Sequence, residues 1–279
     1  MSSAPDGYPE GTPCWADAML PDLAAGKRFY GEIFDWTFED GGGEYGYYTQ
    51  AFHEGKNVAA LAPKPDGRMP TTWSVYFASP DAVATADRIR AARGQIFMGP
   101  MAIDGFGTML MAADPGGAVF GVWQAGSHKG FEKRGEPGAF GWTEVYTWDA
   151  QAVDPFYEAV FGFATQDLSD ETGTGFAVWT PAGAPATPEH AVAGRAVMDD
   201  RFPREMPAHF LAYFVVENCD TVAEAVLRLH GRVRLEPQDT PYGRFAMLAD
   251  DQGADFAIID VSQPGQELGQ GLGQELGQG

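Results

Sequence analysis

Trp15-Ala-Asp-Ala-Met-Leu-Pro-Asp22, followed by Phe29-Tyr30 and Ile33-Phe34-Asp35-Trp36, comes back as Trp142-Thr-Glu-Val-Tyr-Thr-Trp-Asp149, followed by Phe156-Tyr157 and Val160-Phe161-Gly162-Phe163. The offset from Trp15 to Trp142 is 127 residues, and Phe29, Tyr30 and Phe34 recur at that same offset. The later parts of the copies match as well: Val75-Tyr76-Phe77 with Ala212-Tyr213-Phe214, Gly94 with Gly231, and Asp114-Pro-Gly-Gly117 with Asp250-Asp-Gln-Gly253. A period this long exceeds a solenoid unit and has the size of a domain. The chain therefore divides into a first repeat over 1–125, a linker over 126–138, a second repeat over 139–262 and a low-complexity Gly-Gln-Glu-Leu tail over 263–279.

Within the first repeat, Trp15–Leu20 reads as a strand. Asp22 can cap a helix over Leu23–Phe34, where Leu23, Phe29, Tyr30 and Phe34 give rough helical spacing. Gly41-Gly-Gly43 breaks the chain, and Tyr45–Phe52 with Asn57–Pro63 reads as a hairpin. The pattern then restarts with a strand over Thr72–Ala78 and a helix over Ala82–Ala92 capped by Asp81. Gly94 sits where a left-handed residue stops a helix. Strands over Gln95–Ala102, Thr108–Ala113 and Ala118–Trp123 follow, with Asp114–Gly117 as a turn. Each repeat thus holds two β-α-β-β-β halves, so the chain carries four such modules in an α+β class. In the second repeat, the Pro- and Ala-rich stretch Pro181–Pro207 reads as a long loop.

The bulk properties narrow the function. Lys and Arg total 18 against 39 Asp and Glu, a net charge of −21. A field of that sign repels phosphate backbones and anionic lipid, so neither nucleic acid nor membrane is an expected partner. No apolar run reaches transmembrane length, and the N-terminus carries no charged-then-apolar signal pattern. Cys14 and Cys219 lie in different repeats with no metal-finger or CxxC spacing, which fits free thiols and a cytoplasmic protein, with a single disulfide as the alternative.

Strand-x-Asp-helix-Phe-Tyr-x-x-x-Phe occurs twice, as Asp22…Phe29-Tyr30…Phe34 and Asp149…Phe156-Tyr157…Phe161. Each time a turn before the last strand follows, Asp114–Gly117 and the degraded Asp250–Gly253. In this order the pieces resemble the vicinal oxygen chelate superfamily, also called glyoxalase/bleomycin-resistance/extradiol-dioxygenase, from Trp15 to Val261. The arrangement is similar to two-domain actinobacterial members described as hydroxylase or glyoxalase-like. The resemblance implies tandem glyoxalase-like domains, with paired modules curving their strands into two open cups. In metal-dependent members, His or Glu at matched strand positions converge on a divalent ion, a donor set suited to such ions. The matching positions here are Trp15 and Trp142, then Ser74 and Leu211, then Gly121 and Ala257. None is a His or a carboxylate, so neither a metal nor another cofactor is expected.

Side chains two apart share a strand face. If Trp15 takes the ligand position, then Trp15, Asp17 and Tyr76 face the first cup. Trp142, Glu144, Tyr146, His209 and Tyr213 face the second. Aromatic walls with a few polar groups suit a small-molecule pocket; the same residues could equally fill the cup as core, with the acids accepting bonds from tyrosine hydroxyls. The favoured function is metal-independent, sequestration-type binding of a small aromatic or planar molecule, as in the superfamily's bleomycin-resistance members. The alternative is a glyoxalase-like lyase or isomerase, or a dioxygenase or hydroxylase, acting on a small hydroxylated or aromatic substrate. Domain 2 is the expected ligand holder, with Pro181–Pro207 long enough to cover it. Four modules complete two cups within one chain, so a monomer is expected.

Overall fold

The computed structural model describes residues 7–262; the tail over 263–279 lies outside the described residues. The first repeat runs β1 (Pro13–Leu20), α1 (Leu23–Phe34), β2 (Thr37–Asp40), β3 (Thr49–His53) and β4 (Lys56–Pro63). It continues with β5 (Thr72–Ala78), α2 (Ala82–Ala91), β6 (Gln95–Ile103), β7 (Gly107–Ala113) and β8 (Val119–Ala125). The second runs β9 (Phe140–Thr147), α3 (Ala150–Phe161), β10 (Ala164–Asp167), the single turn α4 (Ser169–Thr172), β11 (Phe176–Thr180) and β12 (Ala193–Val197). It ends with β13 (His209–Val215), α5 (Cys219–Arg228), β14 (Arg232–Thr240), β15 (Gly243–Ala249) and β16 (Asp255–Asp260). Each repeat makes one eight-stranded sheet, ordered β2-β3-β4-β1-β5-β8-β7-β6 and β10-β11-β12-β9-β13-β16-β15-β14. The edge strands do not pair with each other, so each sheet is a curved, open cup.

Asp22, Asp81, Asp149 and Asn218 cap α1, α2, α3 and α5 by accepting from backbone amides of the first turn. The small, buried face of β1, Ala16, Ala18 and Leu20, points away from the cup. Trp15 pairs with Tyr76 and Trp142 with Tyr213, so the two tryptophans hold equivalent places on equivalent strands.

The convex sides meet in a core shared by both repeats. Here α1 packs on α5 and α2 on α3, and Phe214 stacks edge-on with Trp73 at 4.9 Å. Tyr30 donates to Asp250 at 2.9 Å and Tyr157 donates to Asp114 at 3.1 Å. The Phe-Tyr helix motif of each repeat thus bonds the Asp turn of the other. Both aspartates also accept from backbone amides of their own turns. The repeated motif records how the halves join, not a reaction site.

Three readings of local structure are corrected. The left-handed residues after α2 and α5 are Arg93 (φ 69°) and His230 (φ 65°), not the glycines that follow. Gly94 is required because a Cβ there would come within 2.7 Å of Phe156 and 2.9 Å of the Ala113 carbonyl. The hairpin strand begins at Thr49, because the preceding glycines and Tyr45 form a loop with a 3-10 turn. Pro181–Pro207 is not all loop, since its Ala193–Val197 stretch is the strand that pairs with β9. The linker over 126–138 packs on the first repeat. Phe131 is buried, Glu132 accepts from the Asn57 amide, Lys133 bonds His53, and Arg134 donates to the Pro13 carbonyl.

Candidate functional site: two aromatic cups

In the first cup, register puts Trp15, Asp17 and Met19 beside Tyr76, Ser74 and Thr72 on one face. Asp17 is the centre. Its Oδ2 accepts from Tyr76 at 3.0 Å and from Tyr48 at 2.9 Å, and Tyr48 in turn accepts from Trp15 Nε1 at 2.7 Å. Burial pushes the Asp17 carboxyl up to about 6, against the pull of the two tyrosine bonds. The same burial, with the Asp17 charge beside them, holds Tyr48 and Tyr76 as protonated donors. His128, from the strap between the repeats, stands edge-on to Trp15 with ring centres 4.4 Å apart. Burial pushes its imidazole down to about 4, so it is neutral at physiological pH.

In the second cup, Glu144 pairs across to Leu211 and Trp142 to Tyr213, and His209 lies opposite Tyr146. Both oxygens of Glu144 are used: Oε1 accepts from Trp142 Nε1 at 3.1 Å and Oε2 from Tyr213 at 3.0 Å. Tyr146 and Tyr213 share a hydrogen bond at 3.3 Å. Burial raises the Glu144 carboxyl, while its bonds to Tyr213, Trp142 and the nearby Tyr146 hold it back. His209 stacks flat on Tyr146 at 5.4 Å. Phe202 covers the same tyrosine at 5.7 Å, and Met206 packs beside it, so the end of the Pro181–Pro207 stretch lies over this cup. Trp142, Glu144 and His209 remain partly exposed.

The acid, tryptophan and tyrosine chosen from strand alternation therefore come together in each cup, and His209 joins the second. Several lining residues escaped that logic. Tyr48 lies one residue before its strand, and His128 lies outside both repeats. Met98, Met101, Met109 and Met111 line one wall, as register shows by pairing Met98 with Met111 and Met101 with Met109. The alternation of Met109 and Met111 on β7 was the available signal for that wall.

The superfamily's metal donors do not fit here. The last of the three ligand positions in the first cup is Gly121, which lies under the Tyr76 ring, so that a Cβ there would overlap it. Its counterpart Ala257 is buried against Tyr213 and Leu211. Among the described residues no group of three or more His, Cys, Asp or Glu could hold a metal ion.

The sequence pattern of the Glyoxalase/Bleomycin resistance protein/Dioxygenase superfamily matches residues 15–122 and again 139–258. The chain belongs to this superfamily. Among its relatives is the anthracycline biosynthesis protein DnrV of Streptomyces peucetius, 36% identical over 275 residues, covering 92% of this chain and 95% of that one. The putative glyoxylase CFP32 of Mycobacterium bovis is 36% identical over 260 residues, covering 90% and 95%. In solved structures the glyoxalase fold recurs in the Mn(II)-bound glyoxalase of Novosphingobium aromaticivorans. The TM-score is 0.61 at 15% identity, covering 92% of this chain and 87% of that one. The halotolerant catechol dioxygenase BphC gives 0.61 at 13% identity, covering 93% and 90%. These two share the fold of this superfamily member. Among the described residues no helix is long and apolar enough to cross a membrane.

Proposed function

We propose that this protein binds a small, flat, hydroxylated or cationic aromatic molecule in the second cup without a metal ion. The observation that carries the reading is Glu144: a half-buried residue whose carboxylate lies between Trp142 and Tyr213, at a site whose metal-ligand positions hold Trp142, Leu211 and Ala257. An indole offers a face for stacking, and a carboxylate accepts from a hydroxyl or ammonium group. His209 and Tyr146 widen the aromatic wall, and Phe202 and Met206 supply an apolar cover. The 36% identity to an anthracycline biosynthesis protein supports a fused-ring guest, because anthracyclines are flat, hydroxylated ring systems. Within one chain the two cups are complete, so a monomer suffices for binding.

The test is calorimetric titration with 1,4-dihydroxyanthraquinone. Glu144→Gln keeps the shape and removes the charge, and should weaken binding by roughly 1.5–3 kcal/mol, the range for hydrogen bonds to charged groups. Equal affinity in wild type and variant would sink the reading. So would near-stoichiometric metal in the purified protein coupled to turnover of the same compound.

A further inference from the structure

The first cup hides a carboxylate and leaves half of it unused. Asp17 is 3% exposed, Oδ2 carries both tyrosine bonds, and Oδ1 has no donor. A buried acceptor without a donor forfeits its hydration with nothing in return. Nε2 of His128, the imidazole set against Trp15, is a second buried polar atom without a partner. Neither oxygen of Glu144 is in that state, although Oε1 of Gln166, on the same cross-strand row in the second sheet, is.

One of the two donors on Asp17 arrives on a loop suited to opening. Residues 41–48 join β2 to β3 and include Gly41, Gly42, Gly43 and Gly46, with positive φ at Gly46 (61°) and Tyr47 (59°). Tyr48, the last residue of this loop, brings its hydroxyl to Asp17. The loop leaves one edge of the sheet and crosses the mouth to the β6–β7 turn at the opposite edge. There Tyr45 meets Phe106 edge-on at 5.7 Å, and its hydroxyl lies 3.4 Å from Asp104. Tyr45, Tyr47 and Phe106 are all exposed, so the closed mouth rests on little buried area. Behind the loop stand Met109 and Met111, with Met98 and Met101 toward the rim. The second cup has Leu235, Gln238, Phe245 and Met247 at those places. Methionine walls adapt to flat apolar faces of varied outline.

We propose that the first cup is a second ligand site, gated by residues 41–48, in which the Tyr48 hydroxyl holds the place of a hydroxyl on a flat phenolic guest. The guest hydroxyl donates to Asp17 and its rings lie along Met109, Met111 and Trp123, with the loop swung open and the Tyr45–Phe106 clasp released. The site does not depend on Glu144, so it stands or falls apart from the second cup.

Two indoles report the cups separately, because Trp15 Nε1 donates to Tyr48 and Trp142 Nε1 to Glu144. The experiment titrates 2-naphthol into the full chain and follows both indole N–H resonances by NMR, assigned with Trp15→Phe and Trp142→Phe. The expected result is a saturable shift of the Trp15 resonance that persists in Glu144→Gln. Tyr45→Ala releases the clasp without touching Asp17 and should lower the apparent Kd at this cup roughly two- to tenfold, the worth of one aromatic pair holding the closed state. Tyr48→Phe keeps the ring, removes the competing hydroxyl, and should tighten binding as well. A Trp15 resonance that stays still, moves equally in Asp17→Asn, or ignores Tyr45→Ala overturns the proposal and leaves Asp17 a packed core acid bonded to Tyr48 and Tyr76. Movement of Trp142 alone supports the second-cup reading and overturns this one.

Discussion

In the first cup the acid is Asp17, and its hydroxyl partners come from β5 and from a loop. In the second it is Glu144, and the hydroxyls around it come from β13 and β9 themselves. The register explains the exchange. Phe176 pairs with Ala196, and Ala196 pairs with Tyr146. Ala62, the corresponding residue of the first cup, pairs with Met19, one residue beyond the Thr49–Leu61 pair, which places Tyr48 in the same row. One cup therefore reads Tyr48–Met19 where the other reads Phe176–Tyr146. Both keep a hydroxyl in that row, carried on a loop in one and on a strand in the other. A hydroxyl on a loop can leave, and one on a central strand cannot without breaking the sheet.

The sharpest break of this comparison is pH. The Asp17 carboxyl is ordinary near 3.8 when the chain is unfolded and is pushed up to about 6 in the fold. A raised folded value favours the protonated form. Its contribution to stability is present below about 3.8 and is lost as pH rises through about 6. Urea unfolding of wild type and Asp17→Asn from about pH 4 to about pH 8 should therefore show the gap between the two curves moving by about 2–3 kcal/mol in favour of the variant, because each tenfold change in a proton-binding constant is worth about 1.4 kcal/mol. Parallel curves would mean that Asp17 is better hydrated than its burial indicates.

The next effect is steric. Gly121→Ala puts a methyl into the Tyr76 ring and should destabilise the fold by about 2 kcal/mol, the scale of overpacking. The equivalent position already carries a Cβ in Ala257. Ala257→Gly should cost about 1 kcal/mol, chiefly through backbone freedom. Equal costs at the two positions, read by denaturant midpoints, would erase the difference between the cups.

The smallest effect separates loop from strand. Tyr48→Phe and Tyr213→Phe each remove a hydroxyl from an acid and should each cost about 1 kcal/mol of global stability. Only Tyr48→Phe should speed hydrogen exchange of the amides over 41–48, because Tyr213 anchors no loop. Faster exchange there in Tyr213→Phe would place the gate elsewhere.

The repeat, the four modules, the helix caps and the cup-facing identities of Trp15, Asp17, Tyr76, Trp142, Glu144, His209 and Tyr213 are written locally. They follow from a period of two along strands and from capping chemistry, and both act over a few residues. The missing metal donors are equally legible, since identity at a matched position needs no coordinates. The sequence did not show that Tyr48 and His128 belong to the first cup. One comes from a loop and the other from a strap between repeats, and neither has a periodicity to betray its facing. Nor did it show why Tyr30 and Tyr157 recur. Their partners, Asp250 and Asp114, lie in the opposite repeat, so only the packing of one convex face on the other brings them together. The unused oxygen of Asp17 is likewise a property of the assembled fold: the residue type supplies two acceptors, and tertiary packing decides how many donors reach them.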